Sequence, residues 1–335
     1  MDHGADGRHA LGLDVGGTKL AAGVVDRDGT VRSRLVIPSR AEDGPSAMIA
    51  RLVALGRDAV AASGVTWSDI PWVGIACGGP LDPVAGIIQS PPGLPGWDDI
   101  PLVSLVSDEL DRPAFVDNDA TACAVAEWWF GVGRGGAVRD LVYLTISTGV
   151  GGGLILDGRI HRGVAGNAGE LGHLTVDYRG RQCGCGRRGC LEAYASGSSI
   201  ARRAQEALTT DGRASSLRSL ETVTARDVAE AAAAGDPLAG RIWAETTEIL
   251  GSAVANILDA FNPELVVLGG GVTRAGRQLL DPVREIGLAL AMPPARRAAD
   301  VVLAALGEDL GVVSAAAVAF ERAASGLPEP NPVAS

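Results

Sequence analysis

Ala10-Leu-Gly-Leu-Asp-Val-Gly-Gly-Thr-Lys-Leu-Ala-Ala-Gly-Val-Val25 places two short apolar runs on either side of Gly16-Gly17. An Asp28-Gly29 turn then leads into a third run, 31–37. Short apolar runs bounded by glycine read as buried strands, so 10–37 is strand, glycine bend, strand, hairpin, strand. The same order returns later in the chain. Residues 141–147 form a strand, Thr148-Gly-Val-Gly-Gly-Gly153 a glycine turn and 154–156 a second strand, followed by an Asp157-Gly158 hairpin and a further strand. A supersecondary unit that recurs predicts duplicated architecture. The expected fold is therefore α/β, with two similar domains facing each other across a cleft and each contributing a glycine bend.

Working outward, 72–76 and 265–268 read as buried strands that run into Cys77-Gly-Gly-Pro80 and Gly269-Gly-Gly-Val272. Helices are expected over 46–63, 121–129, 225–234, 241–261 and 311–325. The predicted division is a small domain of 1–117 plus about 305–325, and a large domain of 118–304. A Pro-rich tail, 326–335, reads as disordered.

A chain of 335 residues with 47% hydrophobic and only 4% aromatic residues suits two ordinary α/β cores. Its net charge of −11 excludes a broad surface for nucleic acid or anionic lipid. No run approaches the roughly 20 apolar residues of a membrane span. The polar start MDHGADGRHA lacks the apolar core of a signal peptide, so a cytoplasmic address is expected. His3 and His9 fall in this polar leader and read as having no role. Gly131-x-Gly133-x-x-Gly136 has dinucleotide-motif spacing, but it precedes a strand instead of opening a helix and reads as a loop.

Three clusters carry chemistry. In the first, Gly16 and Gly17 let backbone N–H groups approach a phosphate, Thr18 adds a hydroxyl and Lys19 a charge. Lys19 is the only lysine in the chain, and lysine is a usual point charge for phosphate. Asp14, at the strand end, is placed to hold Mg²⁺ directly or through water. An ordinary Gly-Gly hairpin would look the same in isolation, but Ser147-Thr148-Gly149 repeats these features in the second half. In the second cluster, Cys183, Cys185 and Cys190 lie within eight glycine-rich residues, and His173 lies ten residues upstream. Together they make a Cys₃His set for structural zinc. Glu170, Arg187 and Arg188 would then be positioned beside the metal without ligating it. In the third, Asp117-Asn118-Asp119 ends a strand where a helix begins. N-capping is the plain reading for the two aspartates. Alternatively Asn118 and Asp119 offer an amide to orient a hydroxyl and a carboxylate to accept its proton.

Taken together, Asp14-Val-Gly-Gly-Thr-Lys19, Asp117-Asn-Asp-Ala120, Thr145-Ile-Ser-Thr-Gly-Val-Gly-Gly-Gly153, Ala168-Gly-Glu-Leu-Gly-His173 and Cys183-Gly-Cys-Gly-Arg-Arg-Gly-Cys-Leu-Glu192 resemble the ROK family of sugar kinases and repressors. The resemblance runs from about Gly12 to Ala324. It implies two actin-like, ribonuclease-H-like domains around a cleft, closing on ATP and a hexose, with the zinc loop in the larger domain. It implies that Asp119 takes the proton and that Asn118, Glu170, His173 and Glu192 bind sugar hydroxyls. Thr18, Lys19, Thr148 and Gly149 would meet phosphates, and Gly270-Gly271 the adenosine. The implied enzyme is a glucokinase, with N-acetylmannosamine, mannose, fructose and allose as other acceptors. The implied assembly is a homodimer or higher homo-oligomer. Asp117 and Thr121 depart from the Glu and Asn frequent in the family. Gly93 stands where many glucokinases of the family carry Asn, removing one expected sugar contact. A repressor needs a DNA-binding module ahead of the first strand, and only about ten residues precede it here. A sugar sensor without such a module is the non-enzyme alternative.

Overall fold

The structure is a computed structural model that describes residues 7–325. His3 and the tail expected to be disordered lie outside the described residues. The chain forms two compact units. One takes in the chain to Ala137, the short excursion Ile160–Ala168 and the chain from Ala305; the other is Val138–Arg159 with Gly169–Ala304.

The first unit is built on strands β1 (His9–Val15), β2 (Lys19–Asp26) and β3 (Val31–Pro38), then helix α1 (Pro45–Ser63) and strand β4 (Trp72–Cys77). A small hairpin, β5 (Leu81–Asp82) with β6 (Ile87–Ile88), precedes helix α2 (Leu102–Leu110), β7 (Ala114–Asn118) and helix α3 (Asp119–Trp129). Its sheet runs β3-β2-β1-β4-β7, antiparallel across the first three strands and parallel across the last three. Side chains alternate across a strand, and β1 uses both faces. Leu11 and Leu13 pack under α1, where even a Cβ on Gly56 would touch them at 3.2–3.3 Å. Gly12 faces the other way, in register with Gly23 on β2 and Gly74 on β4.

Across that glycine row lies the last helix, α10 (Leu310–Ser325). A Cβ on Gly12 would stand 2.3 Å from the Val312 carbonyl oxygen, and one on Gly74 only 1.9 Å from that of Ala315. The sheet thus lacks side chains where the alanine-rich helix settles onto it, and any larger residue at 74 would lift the helix. Phe320 of α10 is fully buried and meets Phe130 edge-on at 6.3 Å. Burying such a ring contributes on the order of 2–3 kcal/mol. Helix α3 packs on α10, so the chain leaves this unit after Ala137 and not at the expected 117/118.

The second unit repeats the plan. Strands β8 (Leu141–Ile146), β9 (Val150–Leu156), β10 (Arg159–Ile160), β11 (Leu265–Gly269) and β12 (Asp300–Leu303) form a sheet ordered β10-β9-β8-β11-β12. Strands β8 and β9 are antiparallel, whereas β8, β11 and β12 run parallel. The strand order matches that of the first sheet, so both sheets are mixed and the expected α/β duplication is present. Helices α4 (Glu192–Ala195), α5 (Gly197–Thr210), α6 (Ala225–Ala233), α7 (Pro237–Phe261), α8 (Arg277–Leu290) and α9 (Pro293–Ala298) complete it. Helix α7 begins four residues before the expected 241 because Asp236 caps it, accepting from Leu238 and Ala239 N–H, and Pro237 fits the first helical position.

One further expectation needs correcting. Gly151, Gly152 and Gly153 belong to strand β9, not to a turn. A Cβ on Gly152 would lie 2.6 Å from the Gly169 carbonyl, so glycine there admits the neighbouring backbone. No helix among the described residues is long and apolar enough to cross a membrane.

Candidate active site and metal centre

In the first unit, β1 and β2 are joined by Gly16–Lys19, a tight bend closed by Gly16 N–H donating to the Lys19 carbonyl (3.1 Å). Buried Ser39, at the end of β3, holds this bend. Its hydroxyl donates to the Gly17 carbonyl (2.6 Å) and its N–H to that of Thr18 (3.1 Å). From the other side the Gly93 carbonyl rests on Gly17, at 2.4 Å from where a Cβ would be. Thr18 and Lys19 stay exposed above the bend, where a hydroxyl and an ammonium can meet a phosphate.

Asp14 shares the Gly12 face of β1 and abuts the start of α10, where a Cβ on Gly311 would be 2.5 Å from its Oδ2. Burial pushes its pKa up to about 6, against the opposing pull of Lys19. Asp119 adds to the push, so these two carboxylates feel one another. Cys77, at the end of β4, is buried beside both acids and its thiol is held far above its ordinary range by that burial.

The Asp117-Asn118-Asp119 run divides its work differently from the capping reading. Asn118 caps α3, its Oδ1 accepting from Ala120 N–H (2.9 Å) and Thr121 N–H (3.4 Å). That use fixes the amide group and turns its NH₂ into the free end. Asp117 is only 1% exposed and caps nothing; its carboxylate receives the Arg162 guanidinium. Asp119 is the first helical residue, with Oδ1 accepting from Ala120 N–H (2.7 Å) and the carboxyl open to solvent. Crowding by the protein raises its pKa, an effect opposed by the Ala120 N–H and limited by the solvent it keeps.

In the second unit the equivalent bend, Ser147–Gly149, joins β8 to β9 and is closed by Ser147 N–H to the Gly149 carbonyl (2.9 Å). Ser147 and Thr148 are exposed. The Ser147 carbonyl accepts from Gly197 N–H at the start of α5 (2.7 Å). Gly270, with φ of 89°, lies against the Ile146 carbonyl, so Gly270-Gly271 borders this bend. Glu192 ties it to the thiol loop: Oε2 accepts from Val150 N–H (3.0 Å), while Oε1 is 3.8 Å from the Cys183 sulfur.

His173 Nδ1, Cys183, Cys185 and Cys190 present ligand atoms within 4.8 Å of one another. Cys185 and Cys190 sulfurs are 3.6 Å apart, and Cys183 is 3.8 Å from His173 Nδ1. A tetrahedron with Zn–S bonds of about 2.3 Å spaces its sulfurs by about 3.8 Å, so the set fits zinc. The Arg187 N–H pulls the Cys185 thiol down to about 6, whereas burial pushes that of Cys190 up to about 12. His173 Nε2 faces Glu170 at 3.9 Å, leaving one ring nitrogen for the metal side and one for the opposite side. Arg187 donates to the His173 carbonyl (3.0 Å) and Arg188 to that of Gly180 (3.2 Å).

Sequence reading missed Arg162, Ser39 and Gly311, whose partners lie far away in the chain. It also set His9 aside with the leader, whereas His9 lies in β1 with Nε2 3.2 Å from Asp26.

Residues 10–322 match the ROK family. The chain is 35% identical to a glucokinase of Thermotoga maritima, over 93% of this chain and 97% of the relative. It is 36% identical to an N-acetylmannosamine kinase of Citrobacter koseri, over 92% and 98%. Among solved structures it resembles a ROK family glucokinase of Streptomyces griseus in complex with glucose and AMPPNP, at TM-score 0.79 and 34% identity, covering 93% of this chain and 99% of that one. The expected family is thus borne out: the chain belongs to the ROK family.

Proposed function

We propose that this protein is an ATP-dependent hexose kinase that moves the γ-phosphoryl group of ATP to a sugar 6-hydroxyl, with glucose the first candidate acceptor. The observation that carries the reading is Asp119: an open carboxylate of raised pKa, one residue past a helix cap whose free amide can orient a hydroxyl. Such a group accepts a proton as the hydroxyl attacks phosphorus. The glucokinase relatives, and the Streptomyces griseus structure with glucose and AMPPNP, support the same substrates.

In this reading Asn118 orients the acceptor hydroxyl and Asp119 takes its proton. Glu170, Glu192 and the outer nitrogen of His173 bind the remaining hydroxyls. Gly16, Gly17, Thr18 and Lys19 hold phosphate oxygens on one bend, and Thr148 and Gly149 on the other. Gly270-Gly271 lies against the adenosine. Asp14 would hold the Mg²⁺ that accompanies ATP and offsets the charge on its phosphates. His173, Cys183, Cys185 and Cys190 would hold structural zinc, which organises the loop carrying Glu192. A cytoplasmic homodimer is the setting we propose.

N-acetylmannosamine is the second acceptor to consider, because that kinase matches this chain as closely as the glucokinases do. Coupled ADP release with Mg-ATP against glucose, mannose, fructose, allose, N-acetylglucosamine and N-acetylmannosamine, ranked by kcat/KM, tests the proposal. A clear preference for glucose supports it, a preference for N-acetylmannosamine selects the second reading, and silence across the panel from folded protein contradicts both.

A further inference from the structure

The excursion Ile160–Ala168 is a part of the first unit that the proposed mechanism leaves unused. Its chain closes on itself through Ala168 N–H to the Arg162 carbonyl (2.9 Å). From this loop Arg162 reaches Asp117, with Nε at 2.8 Å and Nη2 at 2.7 Å from the same carboxylate oxygen, Oδ2. The other oxygen, Oδ1, accepts the backbone N–H of Asn118 (3.0 Å). Arg162 Nη2 also donates to Glu321 Oε2 on α10 (3.0 Å). Arg322 lies beside the same acids and donates to the Pro83 carbonyl (3.2 Å), so two guanidinium groups balance two buried carboxylates.

A second grip comes from the same loop. The Asn167 side chain pairs with both backbone groups of Leu81, accepting its N–H (3.2 Å) and donating to its carbonyl (3.0 Å). That pairing seats the Gly79 segment, where a Cβ would be 3.1 Å from Asn118 Nδ2 and 3.7 Å from Asn167 Oδ1. Asn118 is therefore held on two sides by one loop: through Asp117 by Arg162, and across Gly79 by Asn167.

We propose that Arg162 is a positioning residue for phosphoryl transfer, locking Asp117 so that the Asn118–Asp119 backbone aims the Asp119 carboxylate at the acceptor hydroxyl. This rests on Asp119 being the general base. Arg is suited to the task because its rigid fork fixes direction, which the single ammonium of lysine cannot do. A displacement near 1 Å at a reacting group lowers rate by about 10²-fold.

The test is a double-mutant cycle of Arg162→Lys and Asp119→Asn, reading kcat, both KM values and the melting temperature. Expected is a fall in kcat of about 10²-fold for Arg162→Lys with KM for sugar and ATP within about twofold, and no further loss in the Asp119→Asn background. A purely structural role would lower kcat equally in both backgrounds, and that result overturns the proposal, as does wild-type kcat in Arg162→Lys. Should Arg162→Lys not fold, the pair Asp117→Asn/Arg162→Gln, which removes both charges of the pair together, is read by the same cycle. If Asp119→Asn alone keeps wild-type kcat, the base assignment fails instead. A dead Asp119→Asn beside a fully active Arg162→Lys rejects the positioning role alone.

Discussion

Gly311→Ala separates the proposed role of Asp14 from the stability of the fold. Gly311 is the second residue of α10 and has an ordinary helical conformation, so alanine there suits the helix by up to about 1 kcal/mol. Its new Cβ, however, would sit 2.5 Å from Asp14 Oδ2 and 3.2 Å from Cγ. Ordinary contact begins at 3.4 Å, so the carboxylate must retreat by about 0.9 Å. If Asp14 carries Mg²⁺ as proposed, a shift of that size lowers the rate by about 10²-fold. Steady-state ADP release at varied Mg-ATP, beside thermal denaturation, makes the comparison. Expected is a melting temperature within a few degrees of wild type, a large loss of kcat/KM for Mg-ATP and a smaller change in KM for sugar. Wild-type kcat/KM for Mg-ATP in a folded variant would refute the reasoning that places Asp14 at the phosphates.

Asp14→Asn should raise apo-protein stability at pH 7.5 while abolishing activity. The folded pKa of about 6 lies above the unfolded 3.8, so the carboxyl favours folding fully below pH 4 and loses that contribution as pH rises through 6. The gain is at most about 3 kcal/mol, and wild-type and variant melts that stay parallel from pH 4 to 8 would contradict it. Cys185→Ser should release about one zinc per chain, measured by atomic emission, and raise the sugar Kd through the Glu192 loop; unchanged zinc content would reject the ligand set. Gly93→Asn should fold as wild type, since a Cβ there meets nothing within 4 Å. One added hydrogen bond should improve kcat/KM for glucose by about fivefold; no change for any sugar would remove that loop from the acceptor site.

Local signals were the legible ones. The glycine bends and the two Asp-Gly hairpins are set by neighbours within a few residues, so turn chemistry found them. The Cys₃His set was legible because spacing alone confines its ligands. What escaped depends on residues far apart in the chain. Gly12 and Gly74 read as ordinary strand glycines, yet they are empty because α10 returns to lie on them, bringing Val312 to Gly12 and Ala315 to Gly74. Asp117 read as a cap because its partner Arg162 is 45 residues away, and only the folded excursion brings them together. The run Gly151–Gly153 looked like a turn because glycine is small for two reasons, bending and close approach, and sequence alone does not separate them.

The central claim, that Asp119 is the base of a sugar kinase, is tested most directly by Asp119→Asn, with kcat from ADP release and sugar Kd from calorimetry on the zinc-loaded protein. Expected is a kcat lower by about 10²- to 10⁴-fold with a nearly unchanged Kd. A variant that turns over within about threefold of wild type, well short of that loss, would contradict it.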